Sequence, residues 1–257
     1  MGDSKPQRWP ESAGSTGMTS PAPWAIADAR GQFRRDIEAI APNAGSALWD
    51  AEGLFIVRSW TEPHRAYHSL RHVAEMLAAF RQLGTHGPAL DGRAMAVAHM
   101  ATWFHDVSYD PRATPGSNEQ RSATLARDHL HRLGVETIDV DAVEALIVMT
   151  VDHHVPSSPA STATDSALLD AFHDADLWIL SAPAQRYREY ARQVRDEYAH
   201  VPPELFKAGR QHILRGFGQR TQIYRTAYAQ QTWQDRARAN IETEIASLSR
   251  GPGVALS

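Results

Sequence analysis

Histidine is the residue type in this 257-residue chain best suited to chemistry, because imidazole binds metals and transfers protons near neutral pH. The chain has 13 histidines and no cysteine. His68 and His72 lie four residues apart, a spacing that places two side chains on one face of a helix. His105 and Asp106 end an apolar stretch, where burying both side chains is costly unless they pair or bind a metal. These residues predict a metal site, with two partly exposed helical histidines as the alternative for the first pair.

A third group of polar residues interrupts the apolar stretch at residues 172–178. Asp174 and Asp176 lie two residues apart in it, so a reason for burial is expected for at least one of them. A solvated helix face is the alternative interpretation, and it fits Asp174 better than Asp176.

The composition excludes several classes of protein. Without cysteine there is no disulfide framework, no thiol nucleophile, no Cys-ligated zinc and no iron–sulfur cluster. A net charge of −4 gives no general attraction to a nucleic acid duplex or to an anionic membrane. No apolar stretch approaches the roughly 20 residues that a membrane-spanning helix needs. We therefore expect a cytoplasmic protein that acts on small molecules.

The elements that must position these residues are predicted to be helices throughout. Residues 1–24 are rich in Gly, Pro and Ser and predict a disordered tail, and residues 25–250 predict one all-α domain. A nearly all-apolar helix over residues 93–104, with Asp91 as its N-cap, is expected at the centre of the protein. The other predicted helices cover residues 25–41, 48–60, 70–83, 118–133, 140–151, 165–180, 184–198, 204–216 and 232–248. Ser117 or Asn118 is the predicted cap of the helix over 118–133.

The order His72, His105-Asp106, Asp176 resembles the H…HD…D pattern of the HD-domain superfamily of metal-dependent phosphohydrolases. Five runs resemble a bacterial group of predicted phosphohydrolases within that superfamily: residues 65–72, 104–111, 118–123, 174–180 and 186–202. The similarity extends from about Leu48 to Asn240. It implies an all-α, HD-type helical domain whose metal ligands come from separate helices.

The resemblance also implies roles for individual residues. His72, His105, Asp106 and Asp176 would ligate a metal, with Asp106 able to bridge two ions and Asp174 as the competitor of Asp176. One or two divalent ions are expected, and Mn, Fe, Co, Ni and Zn all suit such ligands.

Further residues extend the predicted site. His68 would protonate a leaving oxygen, while Asp106 would orient the attacking water or accept its proton. His153 and His154 occupy positions where some HD proteins ligate a second metal, and helix-terminal histidines are the alternative for them. Glu119 would support that second ion.

Cationic and amide side chains near these motifs are candidates for phosphate binding. Arg65 lies three residues before His68, and Asn118 and Arg121 lie at the start of a predicted helix, where anions bind. Arg195 follows Asp176 in the chain. For Arg65 and Arg195 the alternative is that they do not contact the substrate.

The expected function is metal-dependent hydrolysis of a phosphate ester through metal-activated water. The expected substrate is a nucleotide monophosphate or another small phosphorylated metabolite. A di-iron HD-type oxygenase is one alternative, and a non-catalytic ligand-binding module on the same scaffold is another.

Overall fold

The computed structural model describes residues 26–86, 90–153 and 166–250. The predicted tail at residues 1–24 and His154 lie outside the described residues. Within the described part of the chain the fold is all-α, as predicted, with eleven α-helices and one 3₁₀ helix, Leu177–Ser181. The helices are α1 (Ile26–Ile40), α2 (Ser46–Trp60), α3 (Leu70–His86), α4 (Gly92–Phe104), α5 (Ser117–Arg132), α6 (Thr137–Met149), α7 (Ser166–Asp176), α8 (Ala184–Glu197), α9 (Pro203–Gly218), α10 (Ala227–Thr232) and α11 (Gln234–Ser249).

Helix α4 lies at the centre of the protein, as its apolar sequence predicts. It packs against α1, α3, α5, α6 and α7, and all but one of its residues from Ala96 to Phe104 are buried. The Asp91 side chain accepts a hydrogen bond from the Ala94 N–H at 2.7 Å, so the predicted N-cap is confirmed. A helix with no polar face must be covered on every side, and this fixes its C-terminal end inside the protein.

Buried hydrogen bonds set the rotation of α4 against α1. The Asp36 carboxylate of α1 accepts from the Trp103 Nε1–H at 2.8 Å and from His99 Nδ1 at 2.8 Å. Both donors come from the same face of α4, so Asp36 stays satisfied despite its burial. His99 thus has a structural partner away from the predicted site.

Helices α3, α4 and α7 contact one another in pairs. Each of them carries one of the predicted ligand motifs at or next to an end. His72 lies in the first turn of α3, His105-Asp106 follows the last turn of α4, and Asp176 is the last residue of α7. The packing of these three helices therefore brings together motifs that are 33 and more residues apart in the chain.

Several predicted boundaries are wrong for identifiable reasons. Helix α5 begins at Ser117 with Gly116 as its cap residue, at a φ of 79°, and the Asn118 side chain bonds the backbone of Asp110 instead of capping the helix. The helix predicted over residues 140–151 runs from Thr137 to Met149, since apolar periodicity alone places its start one turn too late. The helix predicted over 165–180 changes to a 3₁₀ helix after Asp176. Helix α10 was not predicted.

None of the described helices has the combined length and apolar character that a membrane crossing requires.

We expect Asp91→Ala to lower the free energy of unfolding by about 1 kcal/mol, because the Ala94 N–H loses its acceptor. Asp91→Asn keeps an acceptor oxygen and is the matched control, which should retain most of the stability. Urea unfolding followed by circular dichroism measures both variants. Equal losses in the two variants would show that the charge of Asp91, and not its capping bond, stabilises α4.

Candidate metal centre

Four ligand-type side chains converge where α3, α4 and α7 meet. His72 Nε2 lies 3.1 Å from His105 Nε2 and 3.1 Å from Asp176 Oδ1. His105 Nε2 lies 3.2 Å from Asp106 Oδ2. Ligands that are neighbours around one ion, with bonds of about 2.1 Å, are separated by roughly 3.0–3.4 Å. His72, His105 and Asp106 are buried and form a group that could bind a metal ion, and Asp176 adjoins it.

Hydrogen bonds behind the two imidazoles orient them toward this group. His105 Nδ1 lies 2.9 Å from the Thr102 carbonyl oxygen, which can only accept, so Nδ1 carries a hydrogen. In the neutral ring the lone pair is then on Nε2, which faces Asp106. His72 Nδ1 lies 3.0 Å from the Tyr67 hydroxyl, while its Nε2 faces the same point. An outer partner that fixes the ring and its tautomer is typical of histidines that ligate metals, so the donor set fits a divalent cation.

The charges of the cluster also suit a cation. Burial opposes protonation of His105, but the Asp106 and Asp176 carboxylates outweigh it and raise its pKa to about 9. Burial raises the pKa of both carboxyls, yet the surrounding histidines dominate and hold both pKa values well below the usual range. Burial lowers the pKa of His72. Two anionic carboxylates therefore face one protonated imidazole, and a divalent ion would replace that proton.

Asp176 and Asp174 have different environments, which separates the two candidates for the last ligand. The Asp174 carboxylate accepts from the Arg225 N–H at 2.8 Å, the Thr226 N–H at 2.8 Å and the Thr226 hydroxyl at 2.7 Å. It anchors the start of α10 and points away from the cluster. Asp176 Oδ1 contacts His72 and lies 3.8 Å from His105 Nε2. The structure therefore brings Asp176, and not Asp174, to the predicted site.

Two of the residues predicted for a second ion lie beside the cluster. His153 Nε2 lies 3.8 Å from Asp176 Oδ2, and its Nδ1 is buried without a hydrogen-bond partner among the described residues. Burial is the main reason that the pKa of His153 falls to about 4, so the ring is neutral at pH 7 and able to ligate. Glu119 is half-buried and lines the same cavity, where burial and Asp106 raise its pKa. His154 lies outside the described residues.

His68 lies in the turn before α3 and not on a helix, contrary to the helical spacing argument. Its Nε2 lies 3.7 Å from Asp106 Oδ2, and its Nδ1 lies 2.7 Å from Glu197 Oε2. Burial lowers the pKa of the ring, but the two carboxylates outweigh it and the net shift is upward. His68 therefore presents one nitrogen to the cluster while the other is held from behind.

Glu197, the last residue of α8, is the functional residue that sequence reasoning missed. Its Oε1 accepts the N–H groups of Ala66, Tyr67 and His68 at 2.8, 2.8 and 2.9 Å. Its Oε2 accepts from His68 Nδ1 at 2.7 Å and from the Tyr109 hydroxyl at 2.9 Å. Burial raises its pKa, but these partners, led by His68, lower it to about 2.

A signal for Glu197 exists in the sequence. Tyr187, Tyr190 and Val194 form the buried stripe of α8 at spacings of three and four residues, and Glu197 continues this stripe. A carboxylate on a buried stripe requires partners.

Arg65, a candidate for phosphate binding, bonds to groups within the protein. Its guanidinium donates to the carbonyl oxygens of Asp106 at 2.8 Å, Val107 at 3.0 Å and His68 at 3.2 Å, and to Glu62 Oε2 at 3.0 Å. The side chain is 1% exposed. Because these donors are used within the protein, Arg65 ties the turn before α3 to the end of α4, and it does not line the cavity at the cluster.

Asn118 and Arg121 also bond within the protein. The Asn118 side chain accepts from the Asp110 N–H at 3.1 Å and donates to the Asp110 carbonyl at 3.0 Å. Arg121 donates to the Asn118 oxygen at 2.6 Å and to the Ser108 hydroxyl at 3.2 Å. Neither residue lines the cavity at the cluster. They stabilise the loop after Asp106 instead of supplying the expected phosphate contacts.

Arg195 is likewise directed away from the cluster. It donates to the carbonyl oxygens of Tyr198 at 2.7 Å and Val201 at 3.1 Å, and its guanidinium stacks on Phe206. These bonds close the turn after α8, and Arg195 does not line the cavity at the cluster. Its contact with a substrate stays a prediction.

A cavity of about 240 Å³ opens onto the cluster. Its polar side includes His68, the four ligand-type residues, His153 and Glu119. Leu177, Leu180 and Leu214 supply apolar wall, and Tyr190 and Arg210 lie at its edge. The cavity is large enough for a metal site and a small anionic group, and every predicted metal ligand within the described residues borders it.

No protein-family model matches the chain, and no curated protein matches it either. The function therefore has to be inferred from the side chains that border this cavity.

We expect Asp176→Asn to weaken divalent-metal binding by roughly 100-fold or more, because the cluster loses an anionic ligand. Asp174→Asn is the matched control and should keep the metal affinity. It should instead lower the melting temperature, since an amide cannot accept all the hydrogen bonds that Asp174 accepts. Calorimetric titration with Mn²⁺ and Zn²⁺, together with thermal unfolding, measures both effects. If Asp174→Asn weakens metal binding and Asp176→Asn does not, Asp174 is the ligand.

Proposed function

We propose that this protein is a metal-dependent hydrolase of a small phosphate ester. One observation carries the proposal: His68, fixed by Glu197, directs its Nε2 to the same cavity as the His72, His105 and Asp106 group. A proton donor beside a cation site is the combination that cleavage of a phosphate ester requires. We also propose membership of the HD-domain superfamily, which the all-α fold and the meeting of the four ligand-type residues support.

A divalent ion would be held by His72, His105, Asp106 and Asp176, and His153 and Glu119 would complete a site for a second ion. When bound, such an ion supplies positive charge for the phosphate oxygens and lowers the pKa of water. Mn, Fe, Co, Ni and Zn all accept this mixture of imidazole and carboxylate ligands.

The protein's own residues account for the proton transfers. In hydrolysis, the water oxygen forms a bond to phosphorus, and the bond from phosphorus to the alcohol oxygen breaks. His68 Nε2 gives its proton to the departing oxygen, and its raised pKa favours the protonated ring that this step needs. Glu197 holds Nδ1, so the ring cannot turn away from the leaving group. Asp106 stays anionic and accepts a hydrogen bond from the attacking water. One proton of that water stays on the phosphate and the other is released to solvent, from which His68 regains a proton.

A di-iron oxygenase is the second candidate, and the position of His153 favours it. The ring lies 3.8 Å from Asp176 and is neutral at pH 7, so a second ion has a ready nitrogen ligand. Iron content after expression in iron-rich medium, with electron paramagnetic resonance of the partly reduced protein, separates the candidates. A mixed-valent di-iron signal together with oxygen consumption would replace the hydrolase proposal.

The proposed activity is tested by assaying phosphorylated small molecules with Mn, Co, Ni, Fe and Zn added separately. We expect phosphate release by the wild type and a loss of at least about 100-fold in Asp106→Ala, which removes a ligand and the acceptor for water. Arg127→Ala, at an exposed residue of α5 outside the cavity, is the control for handling and contaminants. If Asp106→Ala matches the wild type on every substrate, the activity is not that of this site. Metal binding without turnover would favour a non-catalytic ligand-binding module.

Glu197→Gln should reduce kcat by about 10- to 100-fold, since the amide cannot stabilise protonated His68 as a carboxylate does. The proton donor must be protonated, so activity is lost as pH rises through the pKa of His68. Removing the charge of Glu197 lowers that pKa, and the alkaline limb of the kcat profile should move to lower pH.

Glu189→Gln, on the same helix but paired with Arg71, is the matched control and should leave the profile unchanged. A fall in activity with no movement of the alkaline limb would indicate a structural role for Glu197 alone.

A further inference from the structure

A second cavity of about 410 Å³ continues from the metal centre on the far side of His68. We call it the annex. The two cavities share Tyr67, His68, Tyr190, Arg210 and Ile213, so they are neighbouring parts of one cleft. The remaining annex wall comes from α8, α9 and the turn between them, and it includes Val194, Tyr198, Val201, Leu205 and Phe206. Its volume lies in the range of small-molecule sites, about 300–1,000 Å³.

The annex wall is mainly apolar, and several of its polar groups are bonded within the protein. The guanidinium of Arg210 donates to Glu244 at 2.8 and 3.2 Å and lies over the Tyr190 ring, so its charge is neutralised. The carbonyl oxygens of Tyr198 and Val201 accept from Arg195. A nucleobase would bring several donors and acceptors into this wall, and each one left without a partner would cost affinity.

The position of His68 decides which part of a substrate enters the annex. Its Nε2 faces the metal centre, and its ring borders both cavities. A proton donor to the leaving oxygen lies beside that oxygen. The phosphoryl group then occupies the metal centre, and the carbon atoms of the leaving alcohol extend past His68 into the annex.

We infer that the annex binds the alcohol part of the substrate, and that the substrate is a phosphate monoester of an apolar alcohol and not a nucleotide. This inference rests on the proposed function. Water and the ester give the free alcohol and inorganic phosphate, with the proton of His68 leaving on the alcohol oxygen. Leu205 and Ile213 extend the apolar wall to the surface, where they are 66% and 52% exposed.

Gly209 offers a way to fill the annex without disturbing the fold. It lies within α9 and lines the annex, and a Cβ added there meets no atom within 4 Å. Gly216 lies on the same helix, outside both cavities, and also has open space for a Cβ. Replacing either glycine favours the helix, so Gly209→Phe and Gly216→Phe form a matched pair.

The test uses n-alkylphosphonates of two to eight carbons, which cannot be hydrolysed, titrated calorimetrically into the full chain with and without Mn²⁺. Affinity of the wild type should rise about three- to fourfold for each added methylene until the annex is filled. Gly209→Phe should abolish this rise for the longer chains, and Gly216→Phe should keep it. The matching n-alkyl phosphates and nucleoside monophosphates are assayed for phosphate release in parallel.

The outcomes separate the two proposals. Chain-dependent binding without hydrolysis of any ester would support the annex and overturn the hydrolase. Hydrolysis with no dependence on chain length, or with nucleotides preferred over octyl phosphate, would support the hydrolase and overturn the apolar-alcohol inference. An equal loss of the chain-length effect in Gly216→Phe would also overturn it, and the absence of both binding and hydrolysis would overturn both proposals.

Discussion

The candidate site depends on the buried carboxylate of Glu197. It accepts three consecutive backbone N–H groups at residues 66–68, the His68 ring and the Tyr109 hydroxyl. A buried carboxylate is costly unless it is fully hydrogen-bonded, and five donors meet that requirement. The same bonds join the end of α8 to the turn from which α3 begins. Because α3 carries His72 in its first turn, one residue fixes both the predicted proton donor and the start of the helix that supplies a metal ligand.

Two arginines also join the elements around the candidate site. Arg65 binds three carbonyl oxygens that flank His68 and Asp106, so the turn before α3 and the end of α4 cannot move independently. Arg186 of α8 donates to both oxygens of Glu75 of α3 at 2.6 and 2.9 Å, and both side chains are buried. Arg71 Nε also lies 3.3 Å from Glu75 Oε1, so two arginines hold this buried carboxylate. The candidate ligands are therefore held by polar bonds between helices as well as by the apolar core.

The sequence predicts the parts of this arrangement that depend on local pattern. Periodicity identified ten of the eleven described helices, and the burial of α4 and the cap at Asp91 followed from residue types alone. The resemblance to the HD-domain superfamily implied the meeting of His72, His105, Asp106 and Asp176. Helix α10 is not predicted from periodicity, because it has only six residues and its start depends on a bond from Thr226 to the distant Asp174.

The role of each charged residue was less predictable, since residue type does not reveal the partner. An arginine near a predicted phosphate site binds a carbonyl as readily as a substrate, and Arg65 and Arg195 both bind carbonyls. Glu197 reaches His68 across 129 positions, so only the packing of α8 against the turn brings them together. Residue spacing indicates which side chains share an element, whereas these partners depend on the tertiary fold.

His68 borders both cavities, and they give its ring two different environments. On one side, the carboxylates of Asp106 and Asp176 draw protons and cations toward the cluster. On the other side, α8 and α9 present a mainly apolar wall to the ring. A histidine at such a boundary would lose its proton through burial alone, because desolvation lowers its pKa. The carboxylates of Glu197 and Asp106 reverse that shift, so the residue that anchors the fold also favours the protonated form of the predicted proton donor beside an apolar surface.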